Sequence, residues 1–358
     1  MTFTEQYPLL NTSTYLNTAS SGIISRNQLE WRSAHDLDYF NLGSGFRITQ
    51  ADFLQEVKVN VAQFFNASVR NTFLVPSFSF GFNTFLEGLS PEQRFLLLNE
   101  DYPSVNYAIE SRGHTCGYLD IESDLEQRIV DKIKEFKPTV FAFSLVQYIS
   151  GVKLDLGFIK ELKQLFPELM IVADGTQFCG TEVFDFEKSG LDVLISSGYK
   201  WMLAGYGNGF VMLKDTVEIR LFAHSSGIAA PREPFLQGKG RLSVFFEPGH
   251  LDTLAFGTLN QSIVDFNKLG MDFVTEQNRL LGAKAKHAFE ERGLLTKVVA
   301  SRKVHSTIFN LKLDTAQYDK LIEQQIICLP RGAGVRLAFH FYNTETDLNK
   351  LLEGLDKE

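Results

Sequence analysis

The chain has 358 residues, 44% of them hydrophobic, which is enough apolar material to bury a large core. Its formal net charge of −8 gives no global basic surface of the kind that attracts nucleic acid or anionic lipid, so we expect neither partner. The three cysteines lack CxxC spacing, which argues against a disulfide framework and a metal site. The sequence shows no signal-peptide pattern and no apolar run of membrane-spanning length, so we expect a cytoplasmic protein without a membrane segment.

The middle of the chain alternates between strand-like and helix-like segments. A β-branched and aromatic run at 139–145 predicts a strand, and apolar residues at helical spacing over 156–166 predict a helix directly after it. Short apolar segments bounded by turn residues then predict strands at 170–174, 191–197 and 209–213. This alternation indicates an α/β fold with a largely parallel sheet.

The C-terminal part of the chain has a different pattern. Segments 298–313 and 334–341 alternate apolar and polar residues and are predicted as strands. The segment TETDLNKLLEGL that follows them is predicted as a helix with an N-terminal cap.

Two polar residues follow strands of the predicted sheet. Asp174 ends the segment MIVAD, and Lys200 follows the segment DVLISSGY, so both are expected at the sheet rim where ligands of such folds bind. A lysine that loses its proton easily can form a Schiff base with an aldehyde, and pyridoxal phosphate also needs a carboxylate beside its ring nitrogen. A structural ion pair between the same two residues is the alternative, and spacing alone does not decide between them.

Two longer segments around these residues carry a family resemblance. VADGTQFCG at 172–180 and DVLISSGYKWMLAGYGNGF at 192–210 resemble the class V aminotransferase family of fold type I pyridoxal phosphate enzymes. That family includes cysteine desulfurases, kynureninases and isopenicillin N epimerase-like proteins. Its pattern is an aspartate, a glutamine three residues later, and a Ser-x-His-Lys segment that ends in the Schiff-base lysine.

The resemblance implies a role for each matching residue. Asp174 would pair with the pyridine nitrogen, Gln177 would hydrogen-bond the ring hydroxyl and Ser197 would contact the phosphate. Lys200 would form the Schiff base and act as the catalytic residue. Tyr199 stands where the family has a histidine, and its phenol is a candidate neutral donor to the phosphate.

The resemblance extends over most of the chain and implies further cofactor contacts. Ser79 and the backbone amide of Phe80 lie where the family binds phosphate at the start of a helix. Tyr102, in NEDYPSVNY, is the candidate ring that stacks on the pyridine face. Thr258, in FGTLN, matches an element through which the neighbouring subunit reaches the phosphate, so the resemblance implies a homodimer with shared active sites.

Two residues are implied as contacts of an amino-acid substrate. Arg336 matches the family arginine that holds the α-carboxylate, for which a bidentate guanidinium is well suited. The alternative for Arg336 is a surface arginine that closes a strand. Asn17 lies in YLNTASSGII, a segment similar to the N-terminal segment of the family. His340, on an alternating strand pattern, is interpreted as structural.

The expected architecture is that of a fold type I pyridoxal phosphate-dependent transferase, with a mainly parallel sheet flanked by helices and a smaller α+β domain near the C-terminus. The resemblance implies a large cofactor-binding domain over 30–265. Residues 1–29 and 266–358 would together form the small domain.

The resemblance does not choose one reaction, because transamination, racemisation and bond cleavage share the same cofactor chemistry. Desulfurases carry a nucleophilic cysteine on a loop well upstream of the carboxylate arginine, and that loop is missing here. Cys328 lies in an apolar run, and Cys179 matches no family nucleophile. We therefore predict an aminotransferase first, a kynureninase-like or cysteine desulfurase-like lyase second and an epimerase third. A non-catalytic scaffold is the alternative of another class, and the retained Lys200 argues against it.

Overall fold

A computed structural model describes residues 3–229 and 239–356 of the protein. Its strands are β1 Thr14–Tyr15, β2 Thr72–Val75, β3 Arg94–Leu98, β4 Thr115–Leu119, β5 Val140–Ser144, β6 Met170–Asp174, β7 Val193–Ser197, β8 Gly209–Leu213, β9 Ile308–Leu311, β10 Ile326–Ile327, β11 Leu329–Arg331 and β12 Gly334–Ala338. Its α-helices are α1 Phe3–Gln6, α2 Arg26–Leu42, α3 Gln50–Phe64, α4 Phe78–Gly88, α5 Pro103–Glu110, α6 Leu125–Phe136, α7 Leu156–Leu165, α8 Asp215–Glu218, α9 Ser243–Phe246, α10 Thr253–Leu269, α11 Met271–Glu291, α12 Lys297–Ser301, α13 Thr315–Glu323 and α14 Glu345–Asp356.

Strands β2 to β8 form one seven-stranded sheet in the order β2-β8-β7-β6-β5-β3-β4. β8 runs antiparallel to both of its neighbours, and the other neighbouring strands pair in parallel. The predictions of a mainly parallel sheet and of strands at the four segments between 139 and 213 are therefore confirmed.

The sheet is buried on both of its faces. Along β6, Ile171 and Ala173 join one apolar core, whereas Met170 and Val172 join the core on the opposite face. This division follows from the alternation of side chains along a strand, and it explains why the central strands are continuous apolar runs. The first polar side chain of β6 is Asp174 at its carboxyl end, where the strand leaves the core.

Two smaller sheets are built from the C-terminal part of the chain, and one of them includes a strand from the N-terminal part. Strands β11, β12 and β9 form an antiparallel sheet, and β1 pairs in parallel with β10. Helix α14 begins with reciprocal hydrogen bonds between Thr344 and Asp347, as the predicted cap requires.

The prediction of one long strand over 298–313 is wrong. Its first part belongs to α12, and only Ile308–Leu311 is a strand. Thr296 explains the difference, because its side chain accepts a hydrogen bond from the Val299 amide and so caps a helix that its β-branched residues do not favour. The predicted strand at 334–341 also ends earlier, at Ala338.

The two kinds of sheet come from different parts of the chain. All strands of the seven-stranded sheet lie between 30 and 265, and the strands of the small sheets lie in 1–29 and 266–358. Helix α10 crosses residue 265, so the domain boundary remains a prediction. No helix among the described residues is long and apolar enough to span a membrane.

Candidate active site

A cleft lies at the carboxyl ends of β6 and β7. Its lining residues are Ser77, Phe78, Ser79, Tyr102, Ser144, Tyr148, Asp174, Thr176, Gln177, Ser197, Tyr199 and Lys200. Seven of the residues proposed from the sequence therefore meet in one cleft. This position is where α/β sheets bind ligands, because strand ends leave backbone groups and loops free to face a ligand there.

Lys200 is a buried lysine whose amine lacks a polar partner. Within residues 3–229 and 239–356 its Nζ makes no hydrogen bond or direct ion pair, and it lies 5.6 Å from the ring centre of Tyr102 and 5.5 Å from that of Tyr199. Burial lowers the pKa of Lys200, the positive charge of Arg336 acts in the same direction, and attraction to Asp174 opposes both. Asp174 and Lys200 therefore form no direct ion pair among the described residues, so the alternative of a structural ion pair is not supported, although their charges attract each other.

Asp174 lies in the same cleft and accepts hydrogen bonds from Thr176. Its Oδ1 accepts from the backbone amide of Thr176 at 2.8 Å. Burial raises the pKa of Asp174, while the Thr176 hydrogen bonds and the charge of Lys200 oppose that rise. The nearby Asp101, which accepts hydrogen bonds from Ser144 at 2.6 and 2.8 Å, raises the pKa of Asp174 further. A cationic N–H group in the cleft would stabilise the ionised form of Asp174.

Gln177 joins the N-terminal segment to the chain around Lys200. Its Nε2 donates to the carbonyl of Ala19 at 2.9 Å, and its Oε1 accepts from Nε1 of Trp201 at 2.7 Å. A primary amide has two N–H groups, so one donor of Gln177 stays available to the cleft.

The N-terminus of α4 forms the end of the cleft next to Ser197. The Phe78 amide donates to Ser197 Oγ at 2.8 Å, and Ser77 is the N-cap, whose Oγ accepts from the Phe80 amide at 3.2 Å. The Ser79 amide has no acceptor within the part of the chain that the structure describes. Serine hydroxyls, a free amide and the helix dipole together make a suitable anion site.

This geometry corrects the proposed role of Phe80. Its amide is the third in the helix, and such an amide is the normal partner of the N-cap side chain. Because Ser77 already accepts from the Phe80 amide, the free amide at this helix start belongs to Ser79 instead.

The two predicted aromatic residues both lie near the Lys200 amine. Tyr102 precedes α5, and its ring packs edge-on against Tyr148 at a centroid distance of 5.3 Å. The ring of Tyr199 stacks on Tyr206 at 4.8 Å. Burial raises the pKa of Tyr199 to about 12, which keeps its phenol neutral and able to donate.

Arg336 is buried, with 3% of its surface exposed, so the alternative of a surface arginine is wrong. Its guanidinium donates to the Tyr148 carbonyl and to Ser20 Oγ, both at 2.6 Å, and Ser20 in turn donates to Asn17 Oδ1 at 2.6 Å. The buried Nε of Arg336 has no hydrogen-bond partner among the residues that the structure describes. Burial, together with the charge of Arg331, lowers the pKa of Arg336 to about 10, as expected for a cation without a counterion.

Thr258 does not lie where the resemblance implies. It is fully buried inside its own chain, where its hydroxyl donates to the Leu254 carbonyl at 2.7 Å and accepts from Arg32 at 2.9 Å. The predicted contact of Thr258 with a neighbouring subunit's phosphate is therefore corrected, because no surface of this side chain faces outward.

The cysteines and His340 lie outside the cleft. Cys179 and Cys328 are buried, and burial raises the pKa of each thiol to about 12, which makes both poor nucleophiles. His340 is buried beside Trp201, and its Nε2 donates to the Trp201 carbonyl at 3.0 Å. This position agrees with the structural interpretation of His340.

Several residues of the site were missed from the sequence. Ser77 directly precedes a helix, which is the usual signal of an N-cap, but Ser79 two residues later matched the family pattern instead. Thr176, whose Oγ1 accepts from the Ser197 amide at 3.1 Å, stood inside a matched segment. Tyr148 and Ser20 act through a backbone carbonyl and a bridging hydroxyl, for which the sequence gives no pattern.

Comparison with known proteins extends over most of the chain. Residues 43–351 match the profile of the family described as Aminotransferase class-V. The "uncharacterized aminotransferase YcbU" of Bacillus subtilis is 22% identical over 210 residues, which is 58% of this chain and 56% of that protein. A probable cysteine desulfurase of Borreliella burgdorferi is 24% identical over 239 residues, again 58% and 56% of the two chains. The chain thus spans about half the length of the curated relatives it matches.

Solved structures match the whole fold. The cystine C-S lyase C-DES in complex with cysteine persulfide has a TM-score of 0.82 at 19% identity, covering 98% of this chain and 99% of that one. The apo cysteine desulfurase from Thermococcus onnurineus NA1 has a TM-score of 0.80 at 17% identity, covering 98% and 95%. Likenesses at these identities establish the fold.

The chain belongs to the class V aminotransferase family, as the motifs around Asp174 and Lys200 indicated. Members of this family depend on pyridoxal phosphate, so the expected cofactor is confirmed at the level of the family.

Proposed function

We propose that this protein is a pyridoxal phosphate-dependent enzyme that acts on an amino acid, with Lys200 as the residue that attaches the cofactor, and that its reaction is transamination. The observation that carries the proposal is the Lys200 amine. It is buried, has a lowered pKa and has no polar partner among the described residues, yet it lies in one cleft with Asp174. A lysine kept for structure alone would instead be paired or solvated.

The residues of the cleft fit pyridoxal phosphate at three separate points. Lys200 offers an amine to the aldehyde, Asp174 offers a carboxylate to the ring nitrogen, and the start of α4 offers the Ser79 amide with the Ser77 and Ser197 hydroxyls to the phosphate. When bound, the cofactor supplies an electrophilic carbon and an electron-withdrawing protonated ring. Tyr102 is a candidate to pack against that ring.

The roles of the side chains follow from their protonation and position. Asp174 would hold a proton on the ring nitrogen, and this pairing would return its own pKa toward the usual carboxylate range. Once displaced by the substrate amine, the Lys200 amine would move a proton at the substrate Cα, a role that its lowered pKa favours near neutrality. Arg336 would bind the α-carboxylate through its unpartnered Nε–H and a neighbouring guanidinium N–H.

The thiols of the chain favour transamination over sulfur transfer. Several relatives are named as cysteine desulfurases or a cystine lyase, which makes a lyase the second candidate. In this chain, none of the three cysteines lines the cleft, and Cys179 and Cys328 have strongly raised pKa values. An enzyme that forms a persulfide on its own cysteine needs an accessible thiolate, and Cys179 and Cys328 lack that property.

Absorption spectroscopy tests both parts of the proposal. Purified protein loaded with pyridoxal phosphate should show a visible absorption band that is absent from Lys200→Ala, with circular dichroism reporting that the variant is folded. A transaminase converts the bound cofactor to its amine form when one amino acid is added without a keto acid. Release of ammonia and keto product without that conversion would favour the lyase, and the absence of any Lys200-dependent band would refute the proposal.

We also propose that the protein is a homodimer that associates through the region around α2. This helix and the turn after it expose apolar side chains, of which Phe40 and Ile48 are 84% and 82% exposed. Leu37 and Tyr39 are exposed on the same helix, and a patch of this kind on a protein surface favours association. Light scattering should give the mass of a dimer for the native chain and that of a monomer for Phe40→Glu. Tyr107→Glu, at an exposed aromatic residue on α5, is the control.

A further inference from the structure

The hairpin of β11 and β12 carries two arginines on one face. Leu329 pairs with Arg336, and Arg331 pairs with Gly334. Residues two apart along a strand point to the same face, as do directly paired residues on neighbouring strands. Arg331 and Arg336 are therefore diagonal neighbours on the face that carries the buried guanidinium.

Tyr148 connects both arginines to the candidate active site. Its carbonyl accepts the hydrogen bond from Arg336, and its ring lies 5.5 Å from the guanidinium carbon of Arg331. The same ring packs against Tyr102, and Tyr148 itself lines the cleft with Asp174 and Lys200. The exposed Arg331 thus lies against Tyr148, a residue of the cleft wall that also holds the buried Arg336.

The site has one cation more than the proposed reaction uses. Within residues 3–229 and 239–356, neither Arg331 nor Arg336 forms a direct ion pair with a carboxylate, and the charge of Arg331 lowers the pKa of both Lys200 and Arg336. Lys200 is assigned to the cofactor, the helix start to its phosphate and Arg336 to the substrate α-carboxylate. Arg331 remains without an assigned anion, although its position repels the other two cations at a cost to the free protein.

We infer that Arg331 determines substrate specificity, and that the substrate is an amino acid whose side chain ends in an anion. This inference rests on the proposed function. A guanidinium suits carboxylate, sulfinate and phosphate groups alike, because all three present paired oxygens to its N–H donors. A substrate with a neutral side chain would form no ion pair with Arg331, so Arg331 would not increase the affinity for that substrate.

The test compares acidic and neutral substrates in the cofactor-loaded protein. Aspartate, glutamate, cysteine sulfinate and phosphoserine are tested beside alanine, leucine and glutamine, with native protein, Arg331→Gln and Arg331→Lys. Arg220→Gln, at an exposed arginine whose guanidinium lies 4.0 Å from Glu168, is the control for loss of one positive charge. A second measurement is calorimetric binding of glutarate and butyrate, two unreactive probes of similar length that differ by one carboxylate.

We expect the native protein to have its highest kcat/KM with an acidic amino acid. Arg331→Gln should lower that value roughly tenfold, because one charged hydrogen bond at an exposed site is lost. The values for neutral substrates should change little. Arg331→Gln should bind glutarate about as many times more weakly, and should bind butyrate as the native protein does. The control variant Arg220→Gln should behave as the native protein in both measurements, and Arg331→Lys should retain part of the preference for acidic substrates. The acidic group preferred most distinguishes carboxylate from sulfinate and phosphate.

Two results would overturn the inference and leave the proposed function standing: preference for a neutral amino acid, or an equal loss in Arg331→Gln for all amino acids. If no amino acid changes the cofactor spectrum while glutarate still binds through Arg331, the proposed function fails instead.

Discussion

Replacement of Arg336 tests whether substrate recognition depends on its guanidinium. In the free protein its two terminal nitrogens donate to Tyr148 and Ser20, and its Nε–H has no acceptor within the described ranges 3–229 and 239–356. A substrate carboxylate would add two charge-assisted hydrogen bonds, each contributing about 1.5 kcal/mol, or about 3 kcal/mol together. Arg336→Ala should therefore weaken amino-acid binding roughly 150-fold. Arg336→Lys keeps the charge without the planar fork and should lose about half of that free energy.

The assay is a titration of the cofactor-loaded protein with amino acid, followed by the change in cofactor absorption. Arg279→Ala, at an exposed arginine of α11, is the control and should bind as the native protein does. Cofactor affinity should be unchanged in all three variants, because Arg336 is assigned to the substrate alone. A native dissociation constant for amino acids in Arg336→Ala would refute the reasoning, as would loss of cofactor in that variant.

Three further predictions follow from the geometry of the site. Because burial lowers the pKa of Lys200, the rate of cofactor uptake should reach its plateau at a pH below the pKa of an ordinary lysine. Stopped-flow absorption measures this rate as a function of pH, and a plateau reached only at the ordinary lysine pKa would contradict the prediction. Ser77→Ala removes the cap of α4 and should lower the free energy of unfolding by about 1 kcal/mol in urea titrations, whereas an unchanged midpoint would show that the cap contributes nothing. Cys179→Ala and Cys328→Ala should each keep native activity, and abolition of turnover by either change would instead favour a thiol mechanism.

The parts of the fold that could be predicted are those in which one periodic signal dominates. Strands β5 to β8 are apolar until the polar residues that end β5, β6 and β7, because both faces of the sheet are buried, and turn residues bound each strand. The segment before β9 was predicted wrongly, because β-branched residues favour strands while the Thr296 cap favours a helix. Here a single side-chain hydrogen bond, together with packing, outweighed intrinsic propensity.

In the site, too, the residues placed by the strands of the sheet could be predicted, whereas those placed by other contacts could not. Asp174, Ser197 and Lys200 end strands or directly follow them, so sheet topology brought them together as expected. The place of Thr258 was predicted wrongly, since a motif gives the residue but not the direction in which its side chain points. Tyr148 was missed, because its carbonyl is positioned by a loop whose path depends on contacts with the distant hairpin.

The pairing of β1 with β10 has a consequence for when the protein first becomes active. Thr14 and Tyr15 lie opposite Ile326 and Ile327, and Asn17 bridges to Ala338, so segments that leave the ribosome far apart in time pair with each other close to Arg336 in the chain. The seven-stranded sheet is synthesised well before these segments can pair, and closing so long a loop is slow compared with local folding. A nascent chain that already displays Lys200 therefore lacks Arg336, the proposed carboxylate site, and reactivity toward an aldehyde should precede recognition of amino acids during biosynthesis.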